Sequence, residues 1–222
     1  MRILFLILFA LINASGCGDT KPDGLAEVLH RAELGDPAAQ IEIGFKYEQG
    51  LGVMQDHVEA VKWYRMAAEQ GHSFAQYRIG SSYYRGDGVP QDYAEAAAWY
   101  QKAAAQGNVR AQFSLGSMEL KGEGVPQNPA EAVKWFRNPA ELGFEEAQRC
   151  LGVAYANGFG VSIDEVEAVE WYSKAAEQGL AEAQRNLGWM YARGKGIPKD
   201  HKKAFYWYEK VAQQEPDPYS QT

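Results

Sequence analysis

Two cysteines, Cys17 and Cys150, and four histidines, His30, His57, His72 and His201, are the side chains here best suited to nucleophilic, proton-transfer or metal chemistry. Their spacing gives none of those chemistries a frame. The cysteines stand too far apart for a zinc-ligand pair, and two of them set up no disulfide framework. The histidines are scattered at or near helix ends, where a solvated or dipole-facing ring is expected. Cys150 reads as a small, half-buried hydrophobe rather than a nucleophile. No Ser-x-x-Lys, Gly-x-Ser-x-Gly, His-Glu-x-x-His or P-loop occurs, so no nucleophile can be matched with a base. Lys and Arg number 22 against 29 Asp and Glu, a formal net charge of −7, which argues against the clustered cations of a nucleic-acid footprint. Catalytic residues, metal and cofactor are accordingly expected to be none.

What positions these side chains is a repeat. Ala39-Gln40, Ala75-Gln76, Ala111-Gln112, Ala147-Gln148 and Ala183-Gln184 recur at a step of 36 residues. Trp63, Trp99, Trp135, Trp171 and Trp207 keep the same step. A period between 20 and 50 residues marks a stacked array of small helical or strand units. Here each unit reads as two helices. In helix A, Ala39, Ile43, Gly44 and Tyr47 share one side. Gly44 returns as Gly80, Gly116, Gly152 and Gly188. A glycine inside a helix costs about 1 kcal/mol relative to alanine, so its repetition predicts a helix B ring or backbone pressed on the bare Cα. A second series, from Gly50 to Gly194, suits a left-handed C-cap. A third, from Gly52 to Gly196, precedes Val53, Val89, Val125, Val161 and Ile197, an aliphatic plug that pins the loop to the core. Helix B opens on Asp56, Asp92, Asn128, Asp164 and Asp200, and in four units a glutamate follows at capping-box spacing. The tryptophan and tyrosine ladders at helical spacing are core.

The first 16 residues carry Arg2 and then an apolar run from Ile3 to Ile12, too short to span a bilayer but suited to a signal-peptide core. The run ends in Ala14-Ser15-Gly16-Cys17. This stretch resembles the lipobox of bacterial lipoproteins, although Ala14 stands where that pattern has leucine. The resemblance implies acylation at Cys17 and, with Gly18 rather than aspartate next, an outer-membrane address facing the periplasm. Ordinary secretory cleavage is the alternative. Residues 17–22 form a short linker, 23–35 a capping helix equivalent to half a repeat, and 216–222 a flexible tail. The units between fall at about 37–72, 73–108, 109–144, 145–180 and 181–215.

The pattern Ala-Gln-x-x-(Leu/Ile)-Gly-x-x-Tyr-x-x-Gly-x-Gly-Val, then Asp-x-x-x-Ala-x-x-Trp-Tyr, then Ala-Ala-x-x-Gly resembles the Sel-one-like repeat, a relative of the tetratricopeptide repeat. That resemblance implies an all-α, right-handed superhelical solenoid of five helix–turn–helix repeats that binds protein partners and lacks catalytic residues. Cysteine-rich members once considered β-lactamases keep a disulfide in each repeat. This chain does not, which disfavours a cell-wall or β-lactam hydrolase without removing it as an alternative.

In such solenoids the A helices line the concave face, which implies a site for a protein or peptide. On that face Ile41, Phe45, Tyr77, Arg78, Phe113, Arg149, Arg185 and Trp189 stand where solvated surface would carry Glu, Lys or Gln. Large apolar and guanidinium side chains are those enriched in binding hot spots. The competing reading has them filling the seams between adjacent A helices. The third unit departs from the pattern: Glu119 replaces the core tyrosine, and Pro139 falls inside helix B, where it is expected to bend or break the last turn. Glu119 then offers a negative contact, or the change is drift with Met118 or Leu120 filling the space. The last helix B exposes Phe205, Tyr206, Trp207 and Tyr208 unless the tail folds back, which points to possible end-to-end self-association in a structural envelope protein.

Overall fold

The computed structural model describes residues 24–214. The expected signal peptide, Cys17, the 17–22 linker and the 216–222 tail lie outside the described residues. Within them the chain is helical throughout, with α1 (Gly24–Glu33) followed by five helix pairs. The A helices are α2 (Pro37–Gln49), α4 (Ser73–Arg85), α6 (Val109–Lys121), α8 (Glu145–Asn157) and α10 (Ala181–Arg193). The B helices are α3 (His57–Glu69), α5 (Tyr93–Ala105), α7 (Pro129–Glu141), α9 (Glu165–Glu177) and α11 (His201–Gln214). Each helix packs chiefly on its neighbours in sequence. The core is therefore a series of small clusters shared between units, as a solenoid requires. At the N-terminal end α1 plays the part of a preceding helix B, laying Leu25, Val28, Leu29 and Ala32 on Ala39 and Ile43 of α2.

Helix boundaries follow from a few local devices. Every helix A ends on a glycine with φ between 69° and 78°, whose N–H returns to the carbonyl four residues back. Every helix B starts at the expected Asp or Asn, whose side chain accepts the N–H three residues on at 3.0–3.2 Å. The reciprocal half of the capping box is not made. The cap N–H is already donated to helix A, from Asp56 to the Tyr47 carbonyl at 2.9 Å and equivalently in the other units. The released glutamates take other partners: Lys62 for Glu59, Lys134 for Glu131, the Trp171 indole for Glu167.

The mid-helix glycine has the steric cause expected. A Cβ on Gly44, Gly80, Gly116, Gly152 or Gly188 would lie 2.6–2.9 Å from the ring of Tyr64, Tyr100, Phe136, Tyr172 or Tyr208 of its own helix B. The third glycine series has a role that the spacing did not announce. A Cβ on Gly88, Gly124, Gly160 or Gly196 would overlap the first-turn backbone of the preceding helix B, whereas Gly52 has open space around it. These glycines let the loop of one unit sit on the unit before.

The Ala-Gln pair is the junction itself. Its glutamine donates to a carbonyl of the preceding helix B: Gln76 to Ala68, Gln112 to Ala104, Gln148 to Ala140 and Gln184 to Ala176, all at 3.0–3.2 Å. Gln40 does the same to Ala32 of α1 at 3.1 Å. Its carbonyl oxygen accepts from the end of its own helix B, from Gln70, Gln106, Gln178 or Gln214 at 2.8–3.3 Å. In the third unit Leu142 occupies that last position, and Asn138, one turn earlier, supplies the bond at 2.6 Å.

Two expectations for the third unit need correcting. Helix α7 runs its full 13 residues through Pro139. The ring is fully buried in the slot that Ala67, Ala103 and Ala175 fill elsewhere, so packing retains the turn despite one missing N–H. Glu119 is not replaced by a rotating hydrophobe. One carboxylate oxygen accepts the Trp135 indole N–H at 3.2 Å, and the other is buried without a partner. Burial raises the Glu119 pKa above the ordinary carboxyl value, an effect that the Trp135 hydrogen bond offsets in part.

Replacing Gln148 by leucine strands the Ala140 carbonyl and the Gln178 amide and should lower stability by about 1–3 kcal/mol. Gln178→Ala, at an exposed helix end, should cost under about 1 kcal/mol; equal losses in urea melts would mean the junction bond is not what matters. A carboxyl whose pKa is raised on folding gives its full stability below the unfolded pKa and loses it as pH rises through the folded one. Glu119→Gln should therefore raise the melting temperature more at pH 7 than at pH 4, and a pH-independent difference would contradict the buried carboxyl.

Candidate functional site

Among the described residues no group of three or more His, Cys, Asp or Glu is placed to hold a metal. Cys150 is half-buried on α8, and burial raises its thiol pKa, the opposite of an activated nucleophile. The candidate surface is therefore the A-helix face.

The expected residues there fall into register series. Ile41, Tyr77, Phe113, Arg149 and Arg185 occupy one position of the unit. Ile41, Tyr77 and Phe113 are half-buried against the inter-unit clusters. Tyr77 packs on Tyr100 at 5.8 Å between centroids, and Phe113 on Phe136 and Phe144 at 5.6 and 4.9 Å. Arg149 pairs with Glu182 of the next helix A at 3.1 Å, and Arg185 is exposed. Arg78 pairs with Glu48 of the preceding helix A and lies 5.4 Å from the Tyr64 ring centroid. Most of these side chains thus fill seams, the competing reading. Glu119, turned in towards Trp135, shows little charge to the surface.

Phe45 and Trp189 behave differently. They share a second register position, on the first and last A helices, and are 42% and 47% exposed. Two cavities open between the later units. One of about 110 Å³ is walled by Leu120, Phe136, Cys150 and Phe159, the other of about 360 Å³ by Asn157, Asn186, Trp189 and Lys195. Sequence reasoning missed both, since a cavity is marked only by where small or unpaired residues replace large or paired ones.

Among the described residues the last helix pair also keeps apolar side chains exposed. Phe205 is 67% exposed where Val61, Ala97, Val133 and Val169 are 4–7% exposed under the next helix A. Tyr208, the ring over Gly188, is exposed for the same reason. Among the described residues no helix is long and apolar enough to cross a membrane.

Comparison with known proteins accords with this architecture. The crystal structure of c5321, a protective antigen present in uropathogenic Escherichia coli strains and displaying an SLR fold, superposes with a TM-score of 0.83 at 46% identity. The match covers 85% of this chain and 40% of that one. A Sel1 repeat protein from Oxalobacter formigenes gives a TM-score of 0.76 at 39% identity, over 87% of this chain and 74% of that one. Secretory immunoglobulin A-binding protein EsiB of Escherichia coli O6:H1 is 44% identical over 67 residues, 30% of this chain and 13% of EsiB. The chain thus spans less than half the length of c5321 and a small part of EsiB. The Sel1 repeat matches at residues 37–72, 73–108, 109–144, 145–180 and 181–215. With five matched units running from Pro37 almost to the end of α11, the chain belongs to the Sel1 repeat family.

Proposed function

We propose that this chain is a non-catalytic scaffold that holds a protein or peptide on its A-helix face at the bacterial cell envelope. The observation that carries the reading is the exposure of Phe45 and Trp189 at one register position on the first and last A helices, while most neighbouring large side chains are turned into seams. Exposed aromatics are among the side chains enriched in binding hot spots. The family adds support, since Sel1 repeats generally mediate protein–protein contacts. EsiB, by its name, binds secretory immunoglobulin A; the class of partner, a protein, is what this reading takes from it. Of the other expected contacts, Ile41 and Arg185 stand one turn before the two aromatics on the same helices, and the outer edges of Tyr77, Phe113 and Arg149 on the helices between would line the same groove.

Export and anchoring belong to the same proposal and rest on residues 1–17. An apolar run followed by Ala14-Ser15-Gly16-Cys17 suits a lipoprotein signal, with the mature chain fixed to the outer membrane through Cys17 and facing the periplasm. A fatty-acid analogue should label the native chain and leave Cys17→Ser unlabelled; equal labelling would remove the anchor.

Crosslinking and pulldown from the native envelope should recover a protein whose capture falls at least tenfold on Phe45→Ala with Trp189→Ala. The melting temperature should fall by no more than a few degrees, because neither side chain belongs to the buried core. Capture indifferent to both changes would refute this face. Saturable nitrocefin or peptidoglycan turnover by the purified chain would refute the non-catalytic role.

A further inference from the structure

The two cavities are one site occurring twice. Lining positions 120, 136, 150, 153, 154 and 159 of the smaller recur one unit later as 156, 172, 186, 189, 190 and 195 of the larger. Each cavity lies where the end of one helix A, the ring of its helix B, and the helix A and loop of the next unit converge. The same register exists at the first two junctions, and there side chains of the chain pair across it. At the first, Glu48, Tyr64 and Arg78 stand in the places of Leu120, Phe136 and Cys150. Glu48 pairs with Arg78 and accepts the Tyr64 hydroxyl at 2.8 Å. At the second, Tyr84 stands where Leu120 does and donates to Glu123, the counterpart of Phe159, at 2.8 Å.

We propose that the two open junctions are consecutive side-chain pockets for one extended peptide segment of the partner. The first takes an aliphatic side chain, and the second takes an uncharged planar one with hydrogen-bonding capacity, such as Asn, Gln or Tyr. This deepens the scaffold reading above and rests on it. The first pocket, about 110 Å³, is walled by Leu120, Phe136, Val153 and Phe159. Its walls are mainly apolar, and the one charged side chain among them, Arg149, is already paired with Glu182, so a charged or amide group gains little for its lost water. The second, about 360 Å³, is lined by Trp189, by Asn186 and by Asn157, whose amide N–H is already donated to the Val153 carbonyl at 2.9 Å. Lys195 is held by Glu165 at 2.6 Å, so the rim is electrically balanced and favours a neutral polar group over a carboxylate. The two pockets recur one unit apart in the same register, so a single spacing between the two side chains would fill both at once.

The probe is a set of fluorescein-labelled dodecapeptides on a Ser-Gly background, with Leu at one position and Tyr or Asn one to five residues later. The protein is the full chain carrying Cys17→Ser, which leaves Cys150 as the sole thiol. Peptides with one of these spacings should bind at least tenfold tighter than the Ser-Gly control and than the other spacings, and should slow maleimide alkylation of Cys150 at least threefold. Leu120→Glu with Cys150→Arg, copying the pair that closes the first junction, should abolish this preference. Phe159→Asp, at a half-exposed position, reads the same pocket should the double variant not fold. Trp189→Ala should reduce affinity to that of peptides carrying Leu alone. Binding no better than the control, no preference for spacing, or affinity unchanged in these variants would overturn the proposal. Envelope-partner capture that is lost on Phe45→Ala yet survives both Leu120→Glu with Cys150→Arg and Phe159→Asp would also overturn it, while leaving the scaffold reading intact.

Discussion

The stack depends on one bridging amide per junction, buried at Gln40, Gln76, Gln148 and Gln184 and half-buried at Gln112. A primary amide has both a donor and an acceptor, and each glutamine of the Ala-Gln series uses the two in different directions, back to the previous helix B and forward to its own. Three helices are thereby tied through a single side chain. Buried polar groups are costly unless satisfied, so a unit docked one turn out of place would strand the amide and two of its partners. The bond therefore selects register where apolar packing alone would tolerate sliding. The third unit shows that what is required is the hydrogen bond and not a particular residue. With Leu142 in the usual position, Asn138 reaches the same carbonyl from one turn earlier.

Around that tie the packing is steric and unforgiving in only a few places. The mid-helix glycines admit an aromatic ring within a unit, and the loop glycines admit the backbone of the unit before. Fixing these contacts and the alanine slots leaves the outward positions of helix A unconstrained by the fold. That separation explains how Arg78 with Glu48, Tyr84 with Glu123, and Leu120 with Cys150 can occupy equivalent places in one chain. It also explains why Pro139 leaves α7 intact. A buried ring in an alanine slot gains contacts that offset much of one lost helical hydrogen bond.

What was legible in the sequence was whatever repeats for a local or steric reason. The period, the αL glycines, the Asp and Asn caps and the ring over Gly44 each act within a few residues or within one unit. The features that were not legible depend on competition between groups far apart in sequence. The capping-box spacing at Asp56 and Glu59 is genuine, yet the cap N–H is taken by Tyr47 on the neighbouring helix. Arg78 and Arg149 have the composition of a binding surface, yet Glu48 and Glu182 on adjacent A helices bind them first. Ala-Gln was visible as a period, but nothing in its spacing says that the glutamine points inward and bridges two helices.

The same competition determines what the face can recognise. An ion pair already satisfied within the chain offers a partner little, since taking it over exchanges one charge-assisted bond for another after desolvation. The first two junctions are closed in this way, by Glu48 with Arg78 and by Tyr84 with Glu123. Where the register carries Leu120 and Cys150, or Ala156 and Asn186, no internal pairing of that kind can form, and space is left between units. On the proposed scaffold, selectivity would follow from which junctions the chain fills for itself. Changing two residues at one junction can open or close a pocket without touching the amide that keeps the stack in register.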